Sequence, residues 1–495
     1  MVIIETIKGK VKGVQESGHQ KFLGIPYAKP PIGDLRFQKP QPMDAWEDIK
    51  DSTNFSTIAP QNYIDETPIS QEENEDCLYL NIWTPQADDK RRPVMFWIHG
   101  GGFVIGAGSR GRFNGFKLAE YGNVVVVNFN YRLGALGFLN FPGIPPNLGI
   151  LDQVAALKWV QNNIERFGGN PDNITIFGES AGGMSVGILL TIPLANGLFH
   201  KAIIESGATN PIAYEPESAR KGASKFMKKL GTNEDDINSL RDVPLEKLLT
   251  IQKKIAGAVF DLKNNPFRPF IDGEIIPEQP IDNISKGNSA KVPIIIGYNS
   301  EELGMVSDLL KNSNQVKRKL IIKFLKSQFD KNGISKEEFE ELIQIYTIET
   351  KLIYPEDDLK YWDYALSDSM FRIPIIRQIE AHIKHQDNIY HYIFHYDSPK
   401  FGAALHTFEI AFVFGTLGED MSEGAIIKTK ESMELSKMMM DTWVIFAKTG
   451  NPNHSGIPEW PSYDIEKRST LILAQEPKIE NDPSNITRKA WDKIL

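Results

Sequence analysis

The 495-residue chain contains one cysteine, Cys77. That excludes an intramolecular disulfide and a cysteine-built zinc site. No stretch approaches the ~18 uninterrupted apolar residues of a membrane span, so no membrane partner is expected. A cationic surplus is also missing, since 55 basic residues stand against 64 acidic ones for a formal charge of −9. General nucleic-acid binders need clustered Lys and Arg to neutralise phosphates, so nucleic acid is not an expected partner either. The N-terminal stretch MVIIETIKGKVKGVQ alternates apolar and polar residues and lacks the apolar core of a signal peptide. Without a secretory signal, the Asn-x-Ser/Thr matches at Asn54, Asn173, Asn283, Asn453 and Asn485 read as chance, and the cytoplasm is the expected compartment. There is no repeat of fixed period, no low-complexity tract and no Gly/Ser- or Pro-rich linker. Disorder is excluded too, because 41 % hydrophobic and 24 % charged residues is an ordinary globular balance.

What is present is a series of short β-branched or aromatic runs, at 94–98, 124–129, 174–177, 202–204, 293–296, 389–394 and 470–473. Continuous rather than alternating, they suit strands buried on both faces of a parallel sheet. Helical patterns lie between them. Over 151–167, Leu151, Val154, Ala155, Leu157, Val160 and Ile164 follow the 3–4 spacing, and Gly168-Gly169 ends the helix. Alternating strand and helix predicts an α/β fold with a mostly parallel central sheet. The proline-rich N-terminal part, to Pro42, reads as short antiparallel strands at one sheet edge. Segments 215–263 and 308–359 are richer in charge and helical pattern, and read as helical insertions forming a cap. One catalytic domain over 1–495 is therefore expected, rather than three of ordinary size.

Two glycine motifs carry the chemistry. Gly178-Glu179-Ser180-Ala181-Gly182 follows a strand-like run and precedes a helix-compatible one. That is the context of a nucleophile elbow, in which a serine sits on a sharp strand-to-helix turn. A glycine-rich helix start holding an anion is the plainer alternative. His99-Gly100-Gly101-Gly102-Phe103 directly follows another strand-like run. Successive glycines let backbone N–H groups approach the oxygen that becomes negative during acyl transfer. The donors would be Gly101, Gly102 and Ala181. A phosphate loop is the alternative, but the Lys-Ser/Thr of a P-loop is missing.

With both motifs in this order, the chain resembles the type-B carboxylesterase family, which includes bacterial para-nitrobenzyl esterases, vertebrate carboxylesterases and cholinesterases. Matching segments run nearly end to end: Phe22-Leu23-Gly24-Ile25-Pro26-Tyr27-Ala28, Glu75-Asp76-Cys77-Leu78-Tyr79-Leu80-Asn81, Asn130-Tyr131-Arg132-Leu133-Gly134, Phe167-Gly168-Gly169-Asn170-Pro171 and Thr449-Gly450-Asn451-Pro452. The resemblance implies an α/β-hydrolase fold and a Ser-Glu-His triad working without metal or cofactor. Its acid segment corresponds to Gly297-Tyr298-Asn299-Ser300-Glu301-Glu302-Leu303, whose register puts the acid at Glu302, with Glu301 as a solvated helix-start carboxylate.

Of nine histidines, His406 lies in Gly402-Ala403-Ala404-Leu405-His406-Thr407-Phe408-Glu409, which resembles the family's catalytic-histidine loop. His391 and His395 alternate along a strand-like run, His99 belongs to the glycine motif, and His19, His200, His382, His385 and His454 read as polar or surface positions. Glu179 and Ser206 match polar residues that flank the triad in the family; a solvent or core role stays equally open for both. Phe267, within 264–273, resembles a residue beside the acyl side of the gorge, although an ordinary core role fits it as well.

The chain also departs from its relatives. Cys77 has no partner for the disulfide that secreted members close here, in keeping with a reducing compartment. No tryptophan lies between Asn54 and Cys77, so the cation-binding ring of cholinesterases is missing. The expected function is hydrolysis of small to medium, mostly uncharged esters by a chain whose favoured state is a monomer. A lipase of the same family and a non-catalytic, neuroligin-like binding protein are the alternatives.

Overall fold

The computed structural model describes all residues except 62–70, 210–212, 214, 233–236, 257–264, 331–333, 420 and 495. Parts of the first insertion, 233–236 and 257–263, and residue 264 of the 264–273 segment thus lie outside the described residues.

The β-branched runs are buried on both faces, as their lack of alternation requires. In chain order the strands are β1 (Val2–Glu5), β2 (Lys10–Gln15), β3 (Gln20–Pro26), β4 (Lys50–Asp51), β5 (Tyr79–Thr84), β6 (Arg92–Ile98) and β7 (Val125–Phe129). They continue as β8 (Gly169–Glu179), β9 (Lys201–Glu205), β10 (Ile294–Asn299), β11 (Ile389–Phe394), β12 (Ser469–Leu473) and β13 (Lys478–Asn481). Their order in the sheet is β1-β2-β3-β5-β7-β6-β8-β9-β10-β11-β12-β13, with β4 beside β2. From β7 to β12 all pairings are parallel, while the N-terminal hairpins and β13 are antiparallel. The expected antiparallel edge is therefore present.

Chain order reverses at β6, which has β7 on one side and β8 on the other. A ligand site on such a sheet belongs at the carboxyl ends of the strands beside that switch point. The 99–103 loop leaves β6 there, and Ser180 follows β8.

The helix expected over 151–167 runs Leu148–Asn163, followed by a 3-10 turn, Ile164–Phe167. Gly168, at φ 80°, ends it as expected. Its polar residues Asp152 and Gln153 are buried because it packs within the core, not at the surface. Arg132 takes up that charge through a bidentate pair, Nε to Asp152 Oδ2 at 2.8 Å and Nη2 to Oδ1 at 2.7 Å.

The described insertions are helical: Pro216–Leu230, Ile237–Arg241 and Leu245–Ala256 in the first, Val306–Lys311, Gln315–Asp330 and Lys336–Ile353 in the second. The second packs with later helices around a separate small core that includes Leu325, Phe329, Phe339, Leu342, Trp362 and Trp491. Among the described residues, no helix is long and apolar enough to cross a membrane.

Candidate active site

Ser180 stands between β8 and the helix Ala181–Leu189 at φ 56°, ψ −123°. A non-glycine residue at positive φ is strained, and here the turn is held by Ser180 N donating to Glu205 O at 2.9 Å. The glycines of the motif allow that turn to close. A Cβ on Gly182 would overlap Ile98 O, and one on Gly183 would lie 2.8 Å from Glu205 O. Ala181 is the first helical residue, whose N–H has no partner within the helix.

The 99–103 loop packs directly on this turn. A Cβ on Gly100 would lie 2.6 Å from Glu179 O and 3.1 Å from the Ser180 Cβ. Gly101 and Gly102 both have positive φ, 109° and 61°, and a side chain on Gly101 would run into Ile105 O. The loop is anchored around these residues. Tyr131 donates its hydroxyl to His99 O at 2.9 Å and stacks on the His99 ring, and Asn265 Nδ2 reaches Gly102 O at 3.3 Å.

Glu302 follows β10 and His406 follows β11, on the same edge of the sheet. His406 Nδ1 lies 2.6 Å from Glu302 Oε2. The other oxygen, Oε1, accepts from Ser206 Oγ at 2.5 Å and from Asn299 N at 2.8 Å, so the carboxylate is fixed on both sides. The His406 N–H also donates to Glu302 O at 3.1 Å. On the far side of the imidazole, Nε2 faces the turn that carries Ser180, with Glu179 Oε1 3.0 Å away. The Phe371 ring, in a π-helical turn at Asp368–Arg372, covers the imidazole at 4.8 Å.

Four buried carboxyl groups surround this centre: Glu179, Glu205, Glu302 and Glu409. Burial, then the charge of Glu302, pushes the Glu179 carboxyl well above the usual range. Burial pushes Glu205 up to about 8, although Trp443 Nε1 donates to it at 2.8 Å. Glu409 rises through burial and then through Glu179, with Asn299 Nδ2 as a donor. Neither Glu205 nor Glu409 stands out in the sequence. Glutamates at a strand end and in a first helical turn look solvated until distant segments cover them.

Three expectations about individual residues change. Glu301 is buried, not solvated: Tyr354 and Tyr364 donate to its Oε1 at 2.7 and 3.1 Å, and Lys360 Nζ lies 2.7 Å from Oε2. The end of the second insertion and the helix after it fold over it. His19 and His382 are buried rather than surface residues, His19 against the Phe116 ring and His382 on the inward face of the helix Ile373–His382. Burial lowers His382 to about 3, and His99 and His391 to about 4. Glu179 and Ser206, left open by the sequence, both face the imidazole–carboxylate pair. Phe267 is fully buried edge-on to Phe226 of the helix Pro216–Leu230, at 5.1 Å.

A family model described as the carboxylesterase family matches residues 1–491. The chain is 39 % identical to the para-nitrobenzyl esterase of Bacillus subtilis, over 98 % of both chains. It is 37 % identical to carboxylesterase 1D of Mus musculus, over 93 % of this chain and 88 % of that one. Among solved structures, Geobacillus stearothermophilus carboxylesterase EST55 superposes with a TM-score of 0.86 at 34 % identity, covering 99 % of each chain. A PNB esterase structure gives 0.83 at 38 %, again over 99 % of each.

Proposed function

The chain belongs to the carboxylesterase family, and we propose that it works through Ser180 as nucleophile, His406 as base and Glu302 as acid. It is a carboxylic-ester hydrolase of the α/β-hydrolase fold. One observation carries the residue assignment: Glu302 holds His406 by Nδ1 while Nε2 faces the turn bearing Ser180.

The reaction follows from that arrangement. Ser180 Oγ attacks the ester carbonyl as its proton passes to His406 Nε2. Charge collects on the carbonyl oxygen and is met by the N–H groups of Gly101, Gly102 and Ala181. The tetrahedral intermediate collapses, His406 protonates the departing alcohol, and the acyl group stays on Ser180. Water, deprotonated by the same imidazole, then releases the acid and restores the serine. Glu302 keeps the proton on Nδ1 and stabilises the imidazolium formed in each half-reaction. Glu179, 3.0 Å from Nε2, has its carboxyl raised well above the usual range by burial and then by the charge of Glu302.

Residues 1–495 are read as one catalytic domain with two helical insertions, monomeric and cytoplasmic. A lone cysteine and the soluble chemistry of small esters support that setting. The substrate class is small to medium uncharged esters, and the missing tryptophan between Asn54 and Cys77 weighs against choline esters. A panel of para-nitrophenyl esters from acetate to palmitate tests this. Turnover is expected to fall sharply beyond short acyl chains; undiminished turnover on palmitate would favour the lipase reading instead.

A further inference from the structure

The helix Gln315–Asp330, in the second insertion, has two apolar sides where a surface helix needs only one. Leu325 and Phe329 are buried in the small core that the insertion shares with later helices, with Ile321 and Ile322 half-buried beside them. Phe329 meets the rings of Phe339 and Trp491 at 5.1 and 6.2 Å. That contact fixes the helix and settles which side faces inward.

The opposite side is also apolar. Val316, Leu320 and Phe324 follow at four-residue intervals and are 71 %, 64 % and 44 % exposed. At 100° per residue they share an arc of about 80°. Lys319 and Lys323 border this arc on one side and Lys317 on the other, all three exposed. The segment holds five basic residues, Lys317, Arg318, Lys319, Lys323 and Lys326, against the single acid Asp330, in a chain of net charge −9. An exposed apolar stripe edged by lysines is unfavourable in water. It matches a surface with a negatively charged layer above an apolar one. Lysine stems lie along the apolar boundary while their ammonium groups reach the charged layer. Asn314 prepares the helix end, its Oδ1 accepting from Lys317 N at 2.9 Å.

We propose that this outer face docks the protein on anionic phospholipid bilayers, lying in the headgroup plane without spanning the membrane. The expectation that no membrane partner exists rested on the lack of a span, which such docking does not need. The proposal is independent of the triad assignment, because the face contains none of the residues assigned to hydrolysis.

Co-sedimentation of the full chain with vesicles tests it, comparing pure phosphatidylcholine with an equal mixture of phosphatidylcholine and phosphatidylglycerol. The chain is expected to pellet with the mixed vesicles and not with the neutral ones, and to be released as salt is raised. Combined Lys317→Glu, Lys319→Glu and Lys323→Glu reversals are expected to weaken partitioning by about a hundredfold or more. Val316→Ser with Leu320→Ser is expected to weaken it while leaving the melting temperature and acetate-ester turnover unchanged. Equal partitioning to both vesicles, or to neither, would overturn the proposal. So would a concentration-dependent dimer in sedimentation velocity that the serine variant dissolves, since a second copy would then be the occupant.

Discussion

Glu301 and Glu302 are adjacent in the chain and face opposite ways. Glu302 turns to His406, with Nδ1 2.6 Å from its Oε2, while Glu301 turns to Lys360, 2.7 Å away. In the proposed mechanism one takes part in the reaction, and the other ties down the helices beyond it. Glu302→Gln is therefore expected to lower turnover roughly a hundredfold or more with little change in melting. Glu301→Gln is expected to keep turnover within a few-fold and to cost about 1–3 kcal/mol of stability, since Asp363 still holds Lys360. Steady-state kinetics and melting curves on both variants check this, and the reverse ranking would move the acid by one residue.

The buried carboxyl groups predict a loss of stability toward alkaline pH. Glu205 rises from 4.5 to about 8 in the folded state. Between those values the native chain holds a proton that the unfolded chain has released, so stability falls as pH rises. His99 and His391, lowered to about 4, act in the opposite sense, but only below about pH 6.5. From about pH 6.5 to 8 Glu205 contributes about 1–2 kcal/mol to that fall. Glu205→Gln keeps the acceptor for Trp443 and is expected to lessen the fall in melting temperature across that window, leaving the part due to Glu179 and Glu409. A variant as steep as the wild type would contradict it.

How much of this was legible in the sequence follows from what each feature depends on. Ser180 and the 99–103 loop were readable because close backbone approach leaves a glycine fingerprint, and Gly100 and Gly182 show the contacts that demand it. The parallel strands were readable because burial on both faces abolishes alternation. Glu205, Glu409 and the burial of Glu301, His19 and His382 were not. Each depends on segments far along the chain, such as Trp443 over Glu205 and Lys360 over Glu301. The outer stripe of Gln315–Asp330 was hidden for a related reason. Only the docking of Phe329 shows which of its two apolar sides is left outside.

Phe267 separates packing from specificity in a single variant. Its edge-on contact with Phe226 favours a core role, so Phe267→Ala is expected to cost about 3–5 kcal/mol with an unchanged acyl-chain profile. A shift toward longer acyl chains with acetate turnover retained would instead place it beside the acyl group.

The covalent step at Ser180 is tested most directly by intact-mass analysis after treatment with an organophosphate ester, in wild type and in Ser180→Ala. One adduct per wild-type chain is expected, mapping to Ser180 and abolishing turnover. The alanine variant should stay folded, take up no adduct and lose several orders of magnitude of activity. An adduct on another residue, or turnover near the wild-type level in Ser180→Ala, would contradict the assignment of Ser180 as the nucleophile.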